Sequence, residues 1–318
     1  AGAAAAMVIK EMKSSSQANY TPIAVIDDEP YKKGKNILGV KVLGNRKDII
    51  SIAKSKEIET ILIAIPTIED DDKQQILEIC KKTKCKIEII PGMYEIINGK
   101  VSLSQIRKVD IEDLLGRKAV VLDTEGIASY IQNKTILVTG GGGSIGSELC
   151  RQIIKFAPKQ LIVFDIYENN AYDLQIELKY KYPKLDLKVL IGSVRDKKRL
   201  EDVFTTYSPD IVFHAAAHKH VPLMEESPME AIKNNVFGTY NVAECAHRFN
   251  VERFVMISTD KAVNPTNVMG ATKRMCEMII QSMDKISKTH FVAVRFGNVL
   301  GSNGSVIPLF KNQIAHGG

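Results

Sequence analysis

The chain has 318 residues, 45% of them hydrophobic, with 43 Lys and Arg against 37 Asp and Glu and a formal net charge of +6. That apolar content supports one large core or two ordinary ones, and the cations lie scattered among acids, which argues against a nucleic-acid footprint while still suiting an anionic small substrate. Cys80, Cys85, Cys150, Cys245 and Cys276 form no dense or zinc-like pattern, no apolar run reaches the length of a membrane span and no leader opens the chain, so the polypeptide reads as soluble in a reducing cytoplasm.

Ala1 to Ala6 leads directly into Met7, Val8, Ile9 and Met12, the pattern of a helix start whose preceding strand is absent, so the N-terminus reads as cut inside a fold. Ile23 to Asp27 is an apolar run ending in acids, and Asp27-Asp28-Glu29-Pro30 reads as a turn rather than a site. Asn36 to Val42 reads as a second short extended piece closed by Gly44. Ile49, Ile50, Ile52 and Ala53 suit a helix, Ile61 to Ile65 a buried strand, Ile76, Leu77 and Cys80 the next helix, and Lys86 to Ile90 a strand ending at Pro91. Strands and helices alternating at this interval imply parallel crossover units, so residues 1–115 are expected to form a small, N-terminally truncated Rossmann-like α/β domain. A charged, Leu-bearing strip from Asp110 to Arg117 suits packing between domains or subunits, and 116–133 is read as a linker.

The second domain is expected over 134–318. Thr135-Ile136-Leu137-Val138 is the continuous apolar strand of a sheet buried on both faces. Further strands are expected at Gln160–Asp165, Lys188–Ile191, Ile211–His214, Arg253–Ser258 and Phe291–Arg295, with helices between them, which makes a Rossmann-type doubly wound parallel sheet of the α/β class. The run from Asn312 to Gly318 breaks off a helical pattern at a glycine pair, so the chain reads as a fragment of a longer protein.

Thr139-Gly140-Gly141-Gly142-Gly143-Ser144-Ile145-Gly146 follows the first strand of this domain and opens a helix. Gly140 permits the tight turn, Gly143 lets backbone amides approach a pyrophosphate, and Gly146 lets the helix pack against the sheet. Asp165 ends the second strand where an acid would bond the adenosine ribose, and Ile166-Tyr167-Glu168 follows without a cation for a 2′-phosphate, so NAD is expected rather than NADP. Asp196 is placed to meet the adenine edge, and the small Ala215 and Ala216 let the chain pass close to the dinucleotide.

Three histidines, His214, His218 and His220, are read as part of a loop lining cofactor and anionic substrate, with no metal. Lys219 reads equally as a phosphate contact or a solvated lysine. The next strand delivers Ser258, Thr259, Asp260 and Lys261 at its carboxyl end, where open α/β sheets place their chemistry. Met269 and Lys273 follow one helical turn apart, with Met269 standing where a Tyr-x-x-x-Lys pair would have its phenol. A thioether neither donates nor takes a proton, so Asp260 and Lys261 become the acid/base candidates and Lys273 the group that bridges the nicotinamide ribose. Taken alone, Asp260-Lys261 is a surface ion pair, and Met269, Met275 and Met278 are a helix stripe.

Together Thr-Gly-Gly-Gly-Gly-Ser-Ile-Gly, His-Ala-Ala-Ala-His-Lys-His-Val-Pro, Ser-Thr-Asp-Lys-Ala-Val-Asn-Pro and Arg-Phe-Gly-Asn-Val-Leu-Gly-Ser resemble the extended short-chain dehydrogenase/reductase superfamily. More closely they resemble the bacterial UDP-N-acetylglucosamine 4,6-dehydratases of capsule, O-antigen and protein-glycan synthesis. Residues 1–130 resemble the accessory domain of the long members, whose membrane helices lie further upstream, so the full-length protein is expected at the cytoplasmic face of the bacterial inner membrane and as a homo-oligomer. The resemblance implies NAD-dependent oxidation of a UDP-sugar at C4, elimination across C5 and C6, and return of hydride to C6, giving UDP-2-acetamido-2,6-dideoxy-4-keto-hexose. It makes Lys261 the C5 base, kept neutral by burial or a neighbouring cation such as Lys273. It makes Asp260 the acid for the C6 hydroxyl, after taking the C4 proton that Met269 cannot take, and Thr259 the holder of the C4 oxygen. Asn298 would contact the diphosphate, Ser305 to Phe310 the uridine, and Lys219 and His220 the substrate, while Asn235 ties strands and active-site loop together. A nucleotide-sugar 4-epimerase and a non-catalytic NAD-binding module are the rival expectations.

Overall fold

The computed structural model describes residues 2–14, 20–65, 68, 70–90, 107–109, 123–302 and 306–317. The chain divides into two compact units, 1–121 and 122–318. Ser305, assigned above to the substrate, lies outside the described residues.

The first unit runs through α1 (Ala3–Ser14), β1 (Val25–Ile26), β2 (Asn36–Ile37), β3 (Val40–Gly44), α2 (Ile49–Ser55), β4 (Thr60–Ile63), α3 (Asp70–Cys80), β5 (Lys86–Ile89) and β6 (Arg107–Lys108). Parallel pairing joins β1 to β3 and β4 to β5, as crossover connections require. The stretch expected as one extended piece is instead a hairpin: Leu38 (φ 49) and Gly39 (φ 80) both take left-handed backbone and fold β2 antiparallel onto β3. The short β6 also runs antiparallel, beside β5. Asp27 to Pro30 forms a turn in which the Asp27 carboxylate accepts from the Glu29 amide at 2.9 Å and Asp28 from the Arg46 guanidinium at 2.6 Å. Ile49, Ile63, Ile76, Leu77, Cys80 and Ile89 fill the core between α2, α3 and the β4–β5 pair.

The second unit runs through α4 (Thr124–Ile131), β7 (Thr135–Thr139), α5 (Ser144–Ile154), β8 (Gln160–Asp165), α6 (Glu168–Lys181), β9 (Leu187–Ile191), α7 (Lys197–Tyr207), β10 (Ile211–His214), α8 (Val221–Glu226), α9 (Pro228–Ala231), α10 (Gly238–Arg248), β11 (Arg253–Thr259), α11 (Val268–Ile286), β12 (His290–Phe296) and α12 (Val306–Ala315). Part of the expected linker is thus helical, and α4 buries Ile131 in this unit's core. Strands β7 to β12 form one parallel sheet in the order β12-β11-β10-β7-β8-β9.

The alternation of the strands divides the core into two layers. Ile136, Val138, Leu161, Val163 and Ile211 face one side, against Cys150, Ile153 and Ile154 of α5 and Leu174 and Leu178 of α6. Leu137, Ile162, Phe164 and Val212 face the other, against Leu200 and Phe204 of α7, Val242 and Ala246 of α10, and Cys276 and Ile280 of α11. Each such side chain contributes roughly 1.5–3 kcal/mol of burial, against about 0–1 kcal/mol for an exposed ion pair such as Lys134–Glu252, so the two apolar layers hold this unit together. Strand order reverses between β7 and β10, and a crevice at the carboxyl ends of that pair is where a doubly wound sheet binds its ligand.

Candidate active site

At that crevice β7 ends in Thr139 and β10 in His214, which are register partners. The Thr139 hydroxyl and His214 Nδ1 lie 2.7 Å apart, and His214 Nε2 lies 2.9 Å from the Thr239 hydroxyl. Burial pushes the His214 imidazole down to about 3, with the Lys273 charge adding to it, so this histidine stays neutral and braces the two strand ends. Among the described residues no group of three or more His, Cys, Asp or Glu side chains is gathered as a metal ion would need.

The glycine turn follows Thr139. Gly140 has φ +67, and a Cβ there would fall 2.5 Å from the Ala216 nitrogen and 2.7 Å from the Ala215 carbonyl carbon, so only glycine lets this turn lie against the β10 loop. A Cβ at Gly146 would sit 2.1 Å from the Gly140 carbonyl oxygen, which is how closely α5 packs onto the turn. At Gly143, by contrast, a Cβ would approach only the Gly140 oxygen, at 3.2 Å, and this exposed residue stands just before the N-terminal turn of α5, which begins with Ser144 and Ile145. Asp165 is buried at the end of β8, where its carboxylate accepts from the Gly142 and Tyr167 amides at 2.8 Å each. The glycine turn and Asp165 thus meet, with Ala215 and Ala216 closing the other side. These residues fit a dinucleotide: an amide-lined turn open at Gly143, a helix N-terminus and a fixed carboxylate. Asp196 is exposed, with its carboxylate capping α7 through the Arg199 amide at 3.0 Å.

A second group of residues gathers at the end of β11. The Thr259 hydroxyl donates to Asp260 Oδ1 at 2.8 Å, and the Lys261 ammonium lies 3.1 Å from the same oxygen and 3.2 Å from Asn298 Oδ1, which comes from the loop after β12. Hydrogen bonds from Thr259 and then Lys261 hold the Asp260 carboxyl below its ordinary range, so it is ionised. The expected neighbour of Lys261, the Lys273 ammonium, instead donates to the Ile257 carbonyl oxygen at 2.7 Å. Burial pushes Lys273 down, while the charge that meets Lys261 is the carboxylate of Asp260. Asn298 is therefore a partner of Lys261 here, whereas the resemblance placed it on a diphosphate.

Met269 is buried in an apolar cluster with Met224, Ala231, Val221 and Val268, so it anchors α8 and α9 to α11. The helix it belongs to is capped by Asn267, which accepts from the Gly270 amide at 2.8 Å. A Cβ at Gly270 would meet the Lys261 carbonyl oxygen at 2.6 Å, so this glycine brings the helix start against the turn that carries Lys261. Asn235 is fully buried, bonding the His218 amide and carbonyl at 2.8 and 3.0 Å and the Thr272 hydroxyl at 3.1 Å, so it ties the loop after β10 to α11. It lies in a π-helical turn, Ile232–Phe237, of the kind often found beside functional sites. Lys219 and His220 lie exposed at the end of that loop, and His220 precedes α8.

The sequence offers no motif for one further residue. Glu277 of α11 is 2% exposed, and its carboxylate accepts from Ser258 Oγ at 2.6 Å, from Arg295 Nε at 2.7 Å and Nη2 at 2.5 Å, and from Arg274 at 3.2 Å. Burial alone would raise its pKa, but the hydrogen bonds from Arg295, Ser258 and Arg274 outweigh it and bring the group down to about 2. A signal was present in its spacing, four residues after Lys273 on the same helix face, and in the arginine next to the end of β12.

Residues 136–318 match the family model described as polysaccharide biosynthesis protein, and residues 1–91 match that described as CoA-binding domain. The probable polysaccharide biosynthesis protein EpsC of Bacillus subtilis is 47% identical over 319 residues, covering 100% of this chain and 53% of the relative. A UDP-N-acetylglucosamine 4,6-dehydratase (inverting) of Campylobacter jejuni is 39% identical over 188 residues, 58% of this chain and 54% of its own. A UDP-glucose 4-epimerase of Rickettsia canadensis is 41% identical over 192 residues, again 58% and 54%. Among solved structures, Pen from Bacillus thuringiensis superposes with a TM-score of 0.56 at 40% identity, covering 59% of this chain and 58% of that one. The chain spans about half the length of the curated relatives it matches.

Proposed function

The chain belongs to the polysaccharide biosynthesis protein family, and from that premise we propose that its second unit is the NAD-binding part of a UDP-N-acetylglucosamine 4,6-dehydratase. The observation that carries this reading is the cluster at the end of β11: a lysine amine within 3.1 Å of a carboxylate, beside a helix whose tyrosine position holds a buried methionine. Gly140, Gly143, Ser144, Ile145 and Gly146 would hold the pyrophosphate, Asp165 the adenosine ribose, and Ala215 and Ala216 would line the dinucleotide. NAD, when held by these residues, would supply oxidation at C4 and reduction at C6.

The chain's own residues move the protons. Thr259 holds the C4 oxygen, and ionised Asp260 takes the C4 hydroxyl proton. The C4 ketone acidifies C5, from which Lys261 removes the second proton. Asp260 then delivers its proton to the departing C6 oxygen, and Lys261 returns a proton to C5 when C6 is reduced, so both groups end in their starting states and the count closes. Lys261 must release its own proton to solvent before it acts as the base, and protonation of Asp260 in the first step removes the carboxylate charge that favours the ammonium form. Lys219 and His220 would meet the substrate from the loop after β10.

Similarity to the Rickettsia epimerase supports a second reading, 4-epimerisation, which shares the oxidation at C4 but needs no base at Lys261. The full-length protein incubated with UDP-N-acetylglucosamine separates the two by product mass. Loss of one water is the expected result, and an isomer of equal mass would replace the dehydratase assignment with the epimerase.

A further inference from the structure

Burying a carboxylate costs more than an apolar side chain of the same volume, and a buried ion pair is weak grounds for stability. Glu277 nevertheless sits inside the packing between α11 and the sheet, with four donors on its two oxygens, two of them the planar fork of Arg295. Its partners are not arbitrary. Ser258 and Arg295 face each other in register on β11 and β12, and each is the last or next-to-last residue of its strand. Lys273, one turn earlier on α11, bonds the carbonyl of Ile257. One helix therefore grips both strand ends, β11 at 257 and 258 and β12 at 295. Immediately beyond them the two strands deliver Thr259, Asp260 and Lys261 on one side and Asn298 on the other, with the Lys261 amine and Asn298 meeting at 3.2 Å.

We propose that Glu277 and Arg295 are positioning residues, a clamp that sets the end of β12 against the end of β11 so that Asn298 aims the amine of Lys261 at the carbon it deprotonates. This rests on the dehydratase assignment above. The clamp acts on the proton-abstraction step, because the tether on the Thr259 side, Ser258 to Glu277, survives when only the arginine fork is lost. Glu277→Gln keeps an acceptor for Ser258 while removing the charge that draws both guanidinium nitrogens. Arg295→Gln removes the fork and leaves Glu277 its bonds to Ser258 and Arg274.

The test uses the full-length protein with bound NAD and UDP-N-acetylglucosamine in deuterated water. Two rates are read for wild type and each variant: appearance of reduced nicotinamide by absorbance, and incorporation of deuterium at C5. The expected result is C5 exchange slowed about 10²-fold, the loss that a misplacement of about 1 Å brings, with reduced nicotinamide forming within about threefold of wild type. Equal slowing of both rates would make the cluster a merely structural support and overturn the proposal, as would exchange at the wild-type rate. Should Glu277→Gln fail to retain NAD, Arg295→Gln decides alone by the same two rates. A wild-type protein that exchanges no deuterium at C5 sinks the dehydratase assignment and this inference together, whereas exchange in wild type and in both variants alike sinks this inference only.

Discussion

Gly140→Ala is the substitution whose effect the geometry specifies most fully. Two penalties coincide there. The residue has φ +67, where an alanine costs roughly 1–2 kcal/mol, and its Cβ would fall 2.5–2.7 Å from backbone atoms of Ala215 and Ala216, where overpacking adds about 1–3 kcal/mol. The atoms in the way are backbone held by the Ala215 amide's bond to the Thr139 carbonyl at 2.9 Å, so they have no rotamer into which to retreat. The sum is roughly 2–5 kcal/mol, which for a domain of this size lowers Tm by about 4–20 °C. Gly143→Ala is the control, since that residue has φ −71 and a single neighbour at 3.2 Å. It is expected to cost less than about 1 kcal/mol of stability while losing NAD, because the new methyl stands where the pyrophosphate would approach. Thermal unfolding of the full-length protein stripped of NAD measures the stability effect free of ligand stabilisation, and NAD binding measured separately reads the other. A Gly140→Ala melt within about 2 °C of wild type, or a Gly143→Ala melt depressed as far as that of Gly140→Ala, would refute the reasoning.

Asn235→Ala leaves the His218 backbone and the Thr272 hydroxyl without their buried partner, and a loss of about 2–4 kcal/mol in denaturant unfolding is expected, with a raised KM from a loosened loop. The acid limb of stability has two stages. An unfolded chain protonates its histidine below about pH 6.5 while native His214 does not until about 3, so stability falls across that window as pH is lowered, by up to about 1.4 kcal/mol per unit; His214→Gln should flatten this stage of a Tm-against-pH curve. Glu277, depressed to about 2, contributes stability that is present above about pH 4.5 and lost as pH falls toward 2; Glu177, brought equally low by Arg151 and Lys181, shares this window, so Glu277→Gln makes the second stage shallower and leaves the first. Met269→Tyr places a phenol in the cluster of Met224, Ala231 and Val221, and it is expected to lower Tm through about 1–3 kcal/mol of overpacking without raising turnover, a gain in kcat being the contrary result.

The second unit was legible because its signals are local. A strand buried on both faces needs an unbroken apolar run, and Thr135–Val138 supplies one. The glycine run has a steric reason that any sequence must satisfy, and Gly140 and Gly146 meet it at distances no Cβ could share. Where pairing depends on the register of residues far apart, the sequence was silent. Asn36 to Val42 has the composition of one strand, and only the left-handed backbone at Leu38 and Gly39 turns it into two. Glu277 is a mid-helix acid like many others until β12, 18 residues later, brings Arg295 to it. Thr139, Thr239 and His214 likewise become a buried polar brace only when β7, β10 and α10 meet. The position of Lys273 one turn after Met269 was legible from spacing, but the destination of its amine, the Ile257 carbonyl, is set by the packing of α11 on β11.

The central claim is that Lys261 and Asp260 replace the missing phenol, with Lys261 removing the C5 proton. Full-length protein and its Lys261→Ala variant, both with NAD bound, are incubated with UDP-N-acetylglucosamine in deuterated water, and the sugar is read by mass spectrometry and NMR. Wild type is expected to release a product lighter by one water with deuterium at C5, while the variant still forms reduced nicotinamide but incorporates none. Deuterium at C5 in the Lys261→Ala product, or a wild-type product of unchanged mass, would contradict it.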